Sequence, residues 1–341
     1  MLILVAVTIS TAVQSGLFGY AKNATADWAD EESKEKNIGN DNYIKDTVNE
    51  YTGKIDRSYL KVGDYISYTP DIAPNYIGLG NSTSEKSGST SNPIDGIPQD
   101  TTLTWRILSI NEDGSVDIVS AKPTSTKVYL NGSVGYNNGV YLLNDLCKSL
   151  YSNSTLGVTA RSINLLDIES KLNTAGIEAR NSYNNGNKTY GELQTYTGNY
   201  ANTPDVYKRV GKTALEETKE YYTSPTTETH TKESSLEVQQ TYYYFSNTSD
   251  AYFDDATFHE LIFNSGTKYW LASRYVDCYS DIAGFGLRYI SNIYLFGYYL
   301  LNSYADTHNT SYFVRPVVSL GSNIKISNTG GTIETPRTLS K

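Results

Sequence analysis

Three histidines, two cysteines and one methionine are all that this chain offers for the commonest nucleophilic and metal chemistry. His230, His259 and His308 share no ligand spacing of the H-E-x-x-H kind, and His259-Glu260 is an isolated pair that reads as a satisfied surface histidine. Cys147 and Cys278 are too few for a four-ligand zinc site or a multi-disulfide scaffold. Neither has a histidine beside it, and Cys147 lies on an apolar stripe, as a buried small thiol does. Gly78-Leu-Gly80 lacks the third glycine of a dinucleotide-binding turn. Gly211-Lys-Thr213 ends as a phosphate-binding loop ends, but Val206 stands where its first glycine is needed. There is no G-x-S-x-G elbow. A triad assembled only in space would leave no such trace. The expectation is a protein that is not an enzyme, with no catalytic residue, no metal ligand and no cofactor.

What the chain has in excess is tyrosine, 31 of 341 residues, and this chemistry suits contact rather than catalysis. Charged residues make up 19%, below the usual share of about 25%. Polarity therefore comes from Asn, Ser, Thr, Gly and phenol groups. With 28 Lys and Arg against 37 Asp and Glu, the net charge of −9 argues against a grip on nucleic acid, which needs clustered cations. The seven N-x-S/T sequons, at Asn23, Asn81, Asn131, Asn153, Asn187, Asn247 and Asn309, are expected by chance in so Asn- and Thr-rich a chain.

The elements that must position these tyrosines follow from periodicity. Lys61–Tyr68, Thr101–Ile110 and Ser115–Ala121 alternate as half-buried strands do, the last two joined through a turn at Asn111-Glu-Asp-Gly114. Gly80–Thr101 reads as a surface loop. Helical spacing appears over Gly139–Ser152 and again near Ser162–Leu172. Residues 181–250 read as long loops with short strands, and Leu215-Glu-Glu-Thr-Lys-Glu as a solvated helix turn. Tyr269-Trp-Leu-Ala-Ser-Arg274 and Val314-Arg-Pro-Val-Val-Ser-Leu320 are two further strands, built from aromatic and β-branched residues.

Between those two strands, Tyr275–Phe313 holds eight tyrosines in 39 residues but no Lys, Glu, Gln, Met or Trp. Those five types supply 45 of the 341 residues, so about five would fall in such a window. Randomising both adenines of AAY asparagine codons yields Tyr, Asp, His, Ser, Ile, Leu, Phe, Gly, Ala, Cys and others, and never those five. Cys278, His308 and the Tyr298-Tyr299 pair then read as products of diversification. An ordinary Tyr-rich pair of strands is the plainer alternative.

Tyr269-Trp-Leu-Ala-Ser-Arg274, Phe285-Gly-Leu-Arg288 and Val314-Arg-Pro-Val-Val318 resemble the last part of C-type-lectin-like domains of bacterial surface proteins. They are similar also to the variable proteins of diversity-generating retroelements, which carry adenine-directed mutagenesis in this part of the fold. Val62-Gly-Asp-Tyr, Thr104-Trp-Arg-Ile-Leu and Thr159-Ala-Arg-Ser fit the same resemblance, which covers roughly residues 58–325. Formylglycine-generating enzymes share that fold, but the cysteine pair their activity needs is not matched by Cys147 and Cys278. The uncharged stretch Met1–Ala21, with Leu2-Ile-Leu-Val-Ala-Val-Thr-Ile-Ser and Gly16-Leu-Phe-Gly-Tyr-Ala-Lys-Asn, resembles the stem of type IV pilins. The leader, its cleavage site and the first apolar residues of the pilin helix are absent. The expectation is a chain starting from an internal Met, or a helix that serves only as a short anchor.

The resemblance implies an α+β protein. A long N-terminal helix over residues 1–52 would attach it to a membrane or to pilin subunits. A C-type-lectin-like domain over residues 53–341 would have mixed sheets, two helices and long loops. Expected fixed strands, with Trp270, Leu271, Leu287, Val314 and Val317 inside, would hold one exposed variable face within 275–313. The expected ligand-binding residues are Asp277, Tyr279, Asp281, Ile282, Ser291, Asn292, Ile293, Tyr294, Phe296, Tyr298, Tyr299, Tyr304, Asp306, His308, Asn309 and Tyr312, with Leu287, Leu295 and Leu300 turned inward. The implied function is binding or adhesion at the cell surface, to a protein or glycan on another cell, phage or host. A structural pilin-like subunit and an inactive relative of formylglycine-generating enzymes are the alternatives.

Overall fold

The computed structural model describes residues 56–76, 96–185, 188–190, 193–198, 203–204, 236–241, 249–263, 266–279 and 282–341. Its first strands are β1 (Tyr65–Ile66), β2 (Trp105–Ile110), β3 (Val116–Ser120) and β4 (Val128–Asn131), followed by helix α1 (Gly132–Tyr151). Then come β5 (Ala160–Ser162), α2 (Leu165–Glu169), α3 (Thr174–Asn181), and the short strands β6 (Asn184–Asn185) and β7 (Lys188–Thr189). The antiparallel pair β8 (Leu193–Gly198) and β9 (Leu236–Thr241) precedes helix α4 (Ala256–Phe263). The last third is almost wholly strand: β10 (Tyr269–Tyr279), β11 (Ile282–Ser291), β12 (Tyr294–Asn302), β13 (Asn309–Tyr312), β14 (Pro316–Leu320), β15 (Lys325–Ile326) and β16 (Leu339–Ser340).

Two sheets organise these elements. One has the order β1-β2-β3-β14-β5, the other β10-β11-β12, and β13 pairs with β4 beside the second. Among the described residues every ladder is antiparallel, and parallel pairing occurs only as the isolated bridges Ile66↔Arg337 and Tyr269↔Phe313. Strand outweighs helix by 35% to 22% among the described residues. The expected α+β class with a long N-terminal helix, mixed sheets and two helices is therefore corrected to a mostly β, antiparallel architecture with four helices described. Only direct connections such as β2–β3 and β11–β12 enforce antiparallel pairing as hairpins. β5 and β14 return to the first sheet across α1 and across α2 to α4 with the second sheet, and their antiparallel ladders are set by packing. The helix expected over residues 1–52 lies outside the described residues.

The strand expected over Thr101–Ile110 begins only at Trp105, and the tight turn after it closes at Gly114, whose φ of +79° a side chain would resist. Helix α1 starts seven residues before its expected N-terminus. Glycine and asparagine are poor helix formers, yet here close packing decides. A Cβ on Gly139 would lie 2.6 Å from Leu287, and one on Gly135 3.2 Å from Leu130 and Leu300, so these glycines let the helix sit directly on the three-stranded sheet. Of the second expected helix, near Ser162–Leu172, only α2 forms, capped by the Asn164 side chain with a reciprocal Asp167 bond; α3, capped by Asn173, begins beyond it and was not expected.

Both faces of each main sheet are buried. Ile107, Ile118, Val318, Trp270 and Leu287 join α1 in one core cluster, which includes Cys147. Val119, Val317, Tyr269, Leu271, Ile290 and Leu295 join α2 and α4 in the other. The fully buried Arg315, next to β14, links the two sheets. Its Nε donates to Ser120 O at 3.0 Å and its Nη2 to Ala121 O at 3.2 Å. Its Nη1 donates to Leu261 O at 2.7 Å in the last turn of α4, and to the Tyr269 hydroxyl at 3.3 Å. Tyr269 in turn donates to Ile262 O at 2.7 Å.

Two outcomes follow from these contacts. Replacing Arg315 with Met leaves several buried carbonyls without a donor and lowers unfolding stability by about 3 kcal/mol or more in denaturant titration; Arg315→Lys, which keeps charge but not the fork, recovers only part of the loss. The Asp71 carboxylate accepts from the Thr155 hydroxyl and the Thr155 and Ser154 amides, which hold its pKa down to about 2. A carboxyl depressed on folding stabilises above its unfolded pKa, so this contribution is full above about pH 4 and lost as pH falls toward about 2. Thermal melts from pH 6 to 2 show a shallower acid decline for Asp71→Asn than for the parent chain.

Candidate functional site

The residues expected to form one recognition surface are distributed over two faces of the sheet β10-β11-β12. Side chains alternate across a strand, so Tyr298 and Tyr299 point to opposite sides. The register pairs Tyr294 with Ser291, Phe296 with Tyr289 and Tyr298 with Leu287 on the face that meets α1. On the other face Gly297 pairs with Arg288 and Tyr299 with Gly286, while Leu300 is the extra residue of a bulge between the Tyr299 and Leu301 pairs.

On the α1 face a run of rings leads from the core to the surface. Fully buried Trp270 lies 4.6 Å from Tyr312, Tyr312 4.6 Å from Tyr289, Tyr289 5.6 Å from Phe296, and Phe296 5.4 Å from Tyr294. The last three contacts are inclined by only 30°, 31° and 39°, an offset stack that fixes each ring by its neighbour. The stack opens at Tyr294, which is 44% exposed, next to Ile293 at 50%. Trp270 is anchored by its Nε1 donating to Val128 O at 2.9 Å, and the Lys268 ammonium lies 5.7 Å from the Tyr312 ring. The β11–β12 turn that presents Ile293 and Tyr294 places Asn292 at φ +54°, which Asn, Asp and Gly tolerate and β-branched residues do not.

The opposite face is apolar where Tyr269, Leu271, Ile290 and Leu295 meet α2 and α4, and polar but largely closed toward the other end of the sheet. The Tyr275 ring lies over Gly297 and the Tyr299 ring over Gly284, each filling the space of the missing Cβ. The Arg288 guanidinium lies 5.0 Å from the Tyr275 ring centre. Asp277 accepts from the Tyr275 hydroxyl at 3.0 Å and from the Tyr299 hydroxyl at 2.8 Å. Burial, then neighbouring Tyr299 and Asp277, pushes the Tyr275 phenol well above its ordinary pKa, so it remains a donor. Nearby Glu169 is raised by burial, against the pull of Arg288 and Arg180. Tyr299 is 37% exposed at the margin of this face.

Beyond β12 the loop is held by one side chain. Asn302 accepts the Tyr304 amide at 2.9 Å and the Asp306 amide at 3.0 Å through Oδ1, and donates to Asp306 Oδ2 at 2.9 Å. This ordered turn presents Tyr304, 54% exposed, with Asp306, His308 and Asn309. Tyr298, half-buried, donates to Asn309 O at 3.0 Å.

Asn292, Ile293, Tyr294, Tyr299, Tyr304, Asp306, His308 and Asn309 are thus exposed, and Ile282, Phe296 and Tyr298 half-buried. Asp277, Ser291 and Tyr312 are buried and are withdrawn from the expected exposed face: Asp277 and Tyr312 are held by the rings and hydroxyls around them, and Ser291 closes the hairpin. Asp281 and the Tyr279 and Cys278 side chains lie outside the described residues. Leu287, Leu295 and Leu300 are buried. Sequence reasoning missed Tyr289 in the middle of the stack and Asn302 in the loop. The period of two that runs from Tyr294 through Phe296 to Tyr298 carried the signal for the first; nothing local marks the second. Cys147 is fully buried, and burial pushes its thiol far above the range in which a thiolate forms. No group of three or more His, Cys, Asp or Glu among the described residues is placed to hold a metal ion.

Gly297→Ala sets a methyl against the Tyr275 ring and destabilises the protein by about 1–3 kcal/mol. Combining it with Tyr275→Ala gives less than the sum of the two single losses, a coupling that a double-mutant cycle of denaturation measures.

No family model, curated protein or solved structure matches the chain.

Proposed function

We propose that the chain is a surface-displayed binding protein whose recognition surface is the tyrosine-rich segment 293–309, diversified in sequence on a constant frame. One observation carries the reading: a ring stack rooted in the core at Trp270 that opens to solvent at Tyr294. Rings already held in place lose little freedom on contact, so more of their contact energy remains as affinity. Of the seven large apolar side chains exposed among the described residues, four (Ile293, Tyr294, Tyr299 and Tyr304) lie in this stretch, which supports reading it as the interaction surface.

The likeness to C-type-lectin-like variable proteins of diversity-generating retroelements is part of this proposal. It is supported by the division between motif and interval. Trp270, Arg274, Leu287, Arg288, Val314 and Arg315, all within the quoted motifs, are buried, whereas the exposed side chains fall between them. The uncharged residues 1–21 are the proposed attachment to a membrane or to pilin-like subunits, with the binding segment facing the exterior. No described helix is long and apolar enough to cross a membrane.

Sequencing this locus across sister isolates tests the proposal. Substitutions concentrate at Ile293, Tyr294, Phe296, Tyr298, Tyr299, Tyr304, Asp306, His308 and Asn309, with only Asn, Asp or Gly at position 292, while Trp270, Gly284, Gly297 and Arg315 stay unchanged. Substitutions spread evenly along the chain defeat it. For any selected partner, Tyr294→Ala or Tyr304→Ala weakens binding by about tenfold or more in calorimetry with the melting temperature nearly unaltered.

A further inference from the structure

A small cavity lies outside the tyrosine-rich segment, between the residues that follow β1 and those that lead into β2. Its volume is about 90 Å³, room for several waters or for a compact ligand. The Tyr68 and Trp105 rings, in edge contact at 4.8 Å and 77°, line it together with Pro70 and Leu103. Half-buried Gln99 and Asp100 add polar groups, and exposed Thr69 and Thr101 mark its open side. None of these residues falls within 275–313.

The polar lining is held in place by the protein itself. Tyr68 donates to Tyr151 O at 2.6 Å, and the Tyr151 hydroxyl accepts the Asp100 amide at 3.1 Å. Gln99 donates through its main-chain N–H to Pro74 O at 2.8 Å and through Nε2 to Leu150 O, which leaves Oε1 as an acceptor. Asp100 accepts the Thr102 amide and hydroxyl on Oδ1 and the Ser125 amide on Oδ2. Against burial, those donors hold its carboxyl below the ordinary pKa, and a carboxylate with three bonds retains acceptor capacity.

Trp105 supplies the donor. Its side chain is 1% exposed, yet no hydrogen bond among the described residues uses its Nε1–H. That nitrogen is not among the polar atoms sealed inside without a partner, so the little surface the indole keeps includes this N–H and opens on the cavity it lines. The other described indole, Trp270, donates to Val128 O at 2.9 Å, as buried indoles ordinarily do. An anion in the cavity would meet the Asp100 carboxylate, and a cation would leave the Trp105 donor without an acceptor. A neutral hydroxyl accepts one bond and donates another, and the C–H groups that carry hydroxyls suit aromatic walls. We propose that this cavity is a constant binding site for a compact neutral polyol or one edge of a single sugar ring, whose hydroxyls accept from Trp105 and donate to Asp100 and Gln99. The site is independent of the reading of 293–309 and stands whether or not that segment is diversified.

Titrating the isotope-labelled full chain with glycerol, xylitol, glucose, galactose and mannose tests the assignment, read at the indole N–H resonances. The Trp105 resonance is assigned by through-bond correlation, so the primary reading needs no variant. The expected result is a saturable shift of the Trp105 N–H with at least one of these compounds, while the Trp270 N–H stays in place. Glucuronate and glucosamine, charged relatives of the same ring, bind about tenfold or more weakly than the neutral compound, and so does that compound to Asp100→Asn. Tyr294→Ala leaves the affinity unchanged. A Trp105 resonance that no compound moves, a shift that does not saturate, or an equal response to charged and neutral compounds overturns the proposal. A response lost in Tyr294→Ala places the ligand on the tyrosine-rich segment and overturns it too.

Discussion

A guanidinium with no acidic partner among the described residues holds the two sheets of this protein together. Arg315 is withdrawn from water and satisfied by carbonyls from the end of β3 and the last turn of α4, with the Tyr269 hydroxyl and ring beside it. Each acceptor belongs to a different part of the fold. The end of a helix concentrates negative partial charge on its last carbonyls, so α4 is oriented toward this cation. The first strand of the three-stranded sheet begins at Tyr269 and is positioned by the same group. The cost of burying the charge is offset only when all these donors are used at once, so the arrangement is all or none.

From that fixed point the three-stranded sheet has little latitude. One face must accept α1, and Gly135 and Gly139 permit it to approach closely; the other must close over a polar cluster, and Gly284 and Gly297 leave room for the Tyr299 and Tyr275 rings. These are opposite uses of the same residue type, one for a helix and one for aromatic rings. Between them the sheet is buried on both sides along most of its length. Among its described residues the exposed side chains lie on the outer strand, in the β11–β12 turn and in the Asn302-ordered loop. Variation is therefore compatible with the fold in those places alone, and the tyrosines that reach solvent there are already held by stacking or by an ordered turn.

The division of labour within the tyrosines follows from depth. Tyr269 and Tyr275 are structural donors whose phenols are raised by burial and stay protonated. Tyr289 and Tyr312 transmit position from Trp270 outward by stacking. Tyr294, Tyr299 and Tyr304 present surface. Composition treats all of these residues alike, and their roles differ only through what surrounds each one.

Several features were legible in the sequence because they depend on near neighbours. The alternation of β2 and β3, the turn at Gly114, the buried position of Cys147 on an apolar stripe and the unusual composition of 275–313 all follow from spacing. Other features depend on contacts between distant residues. The start of α1 at Gly132 is set by a sheet more than 140 residues away, against the local preference of its glycines. Asp277 and Tyr312 are hidden by rings that no nearby pattern announces, and the bulge at Leu300 alters the alternation that a uniform strand would carry through. The antiparallel order of the sheets was likewise decided by tertiary packing, since β14 meets β3 and β5 across long intervening segments. By itself, the sequence determined which residues could line a strand and that this segment was rich in contact groups. Only the tertiary structure decided which of those groups meet solvent, because exposure is set by what the rest of the chain places over each position.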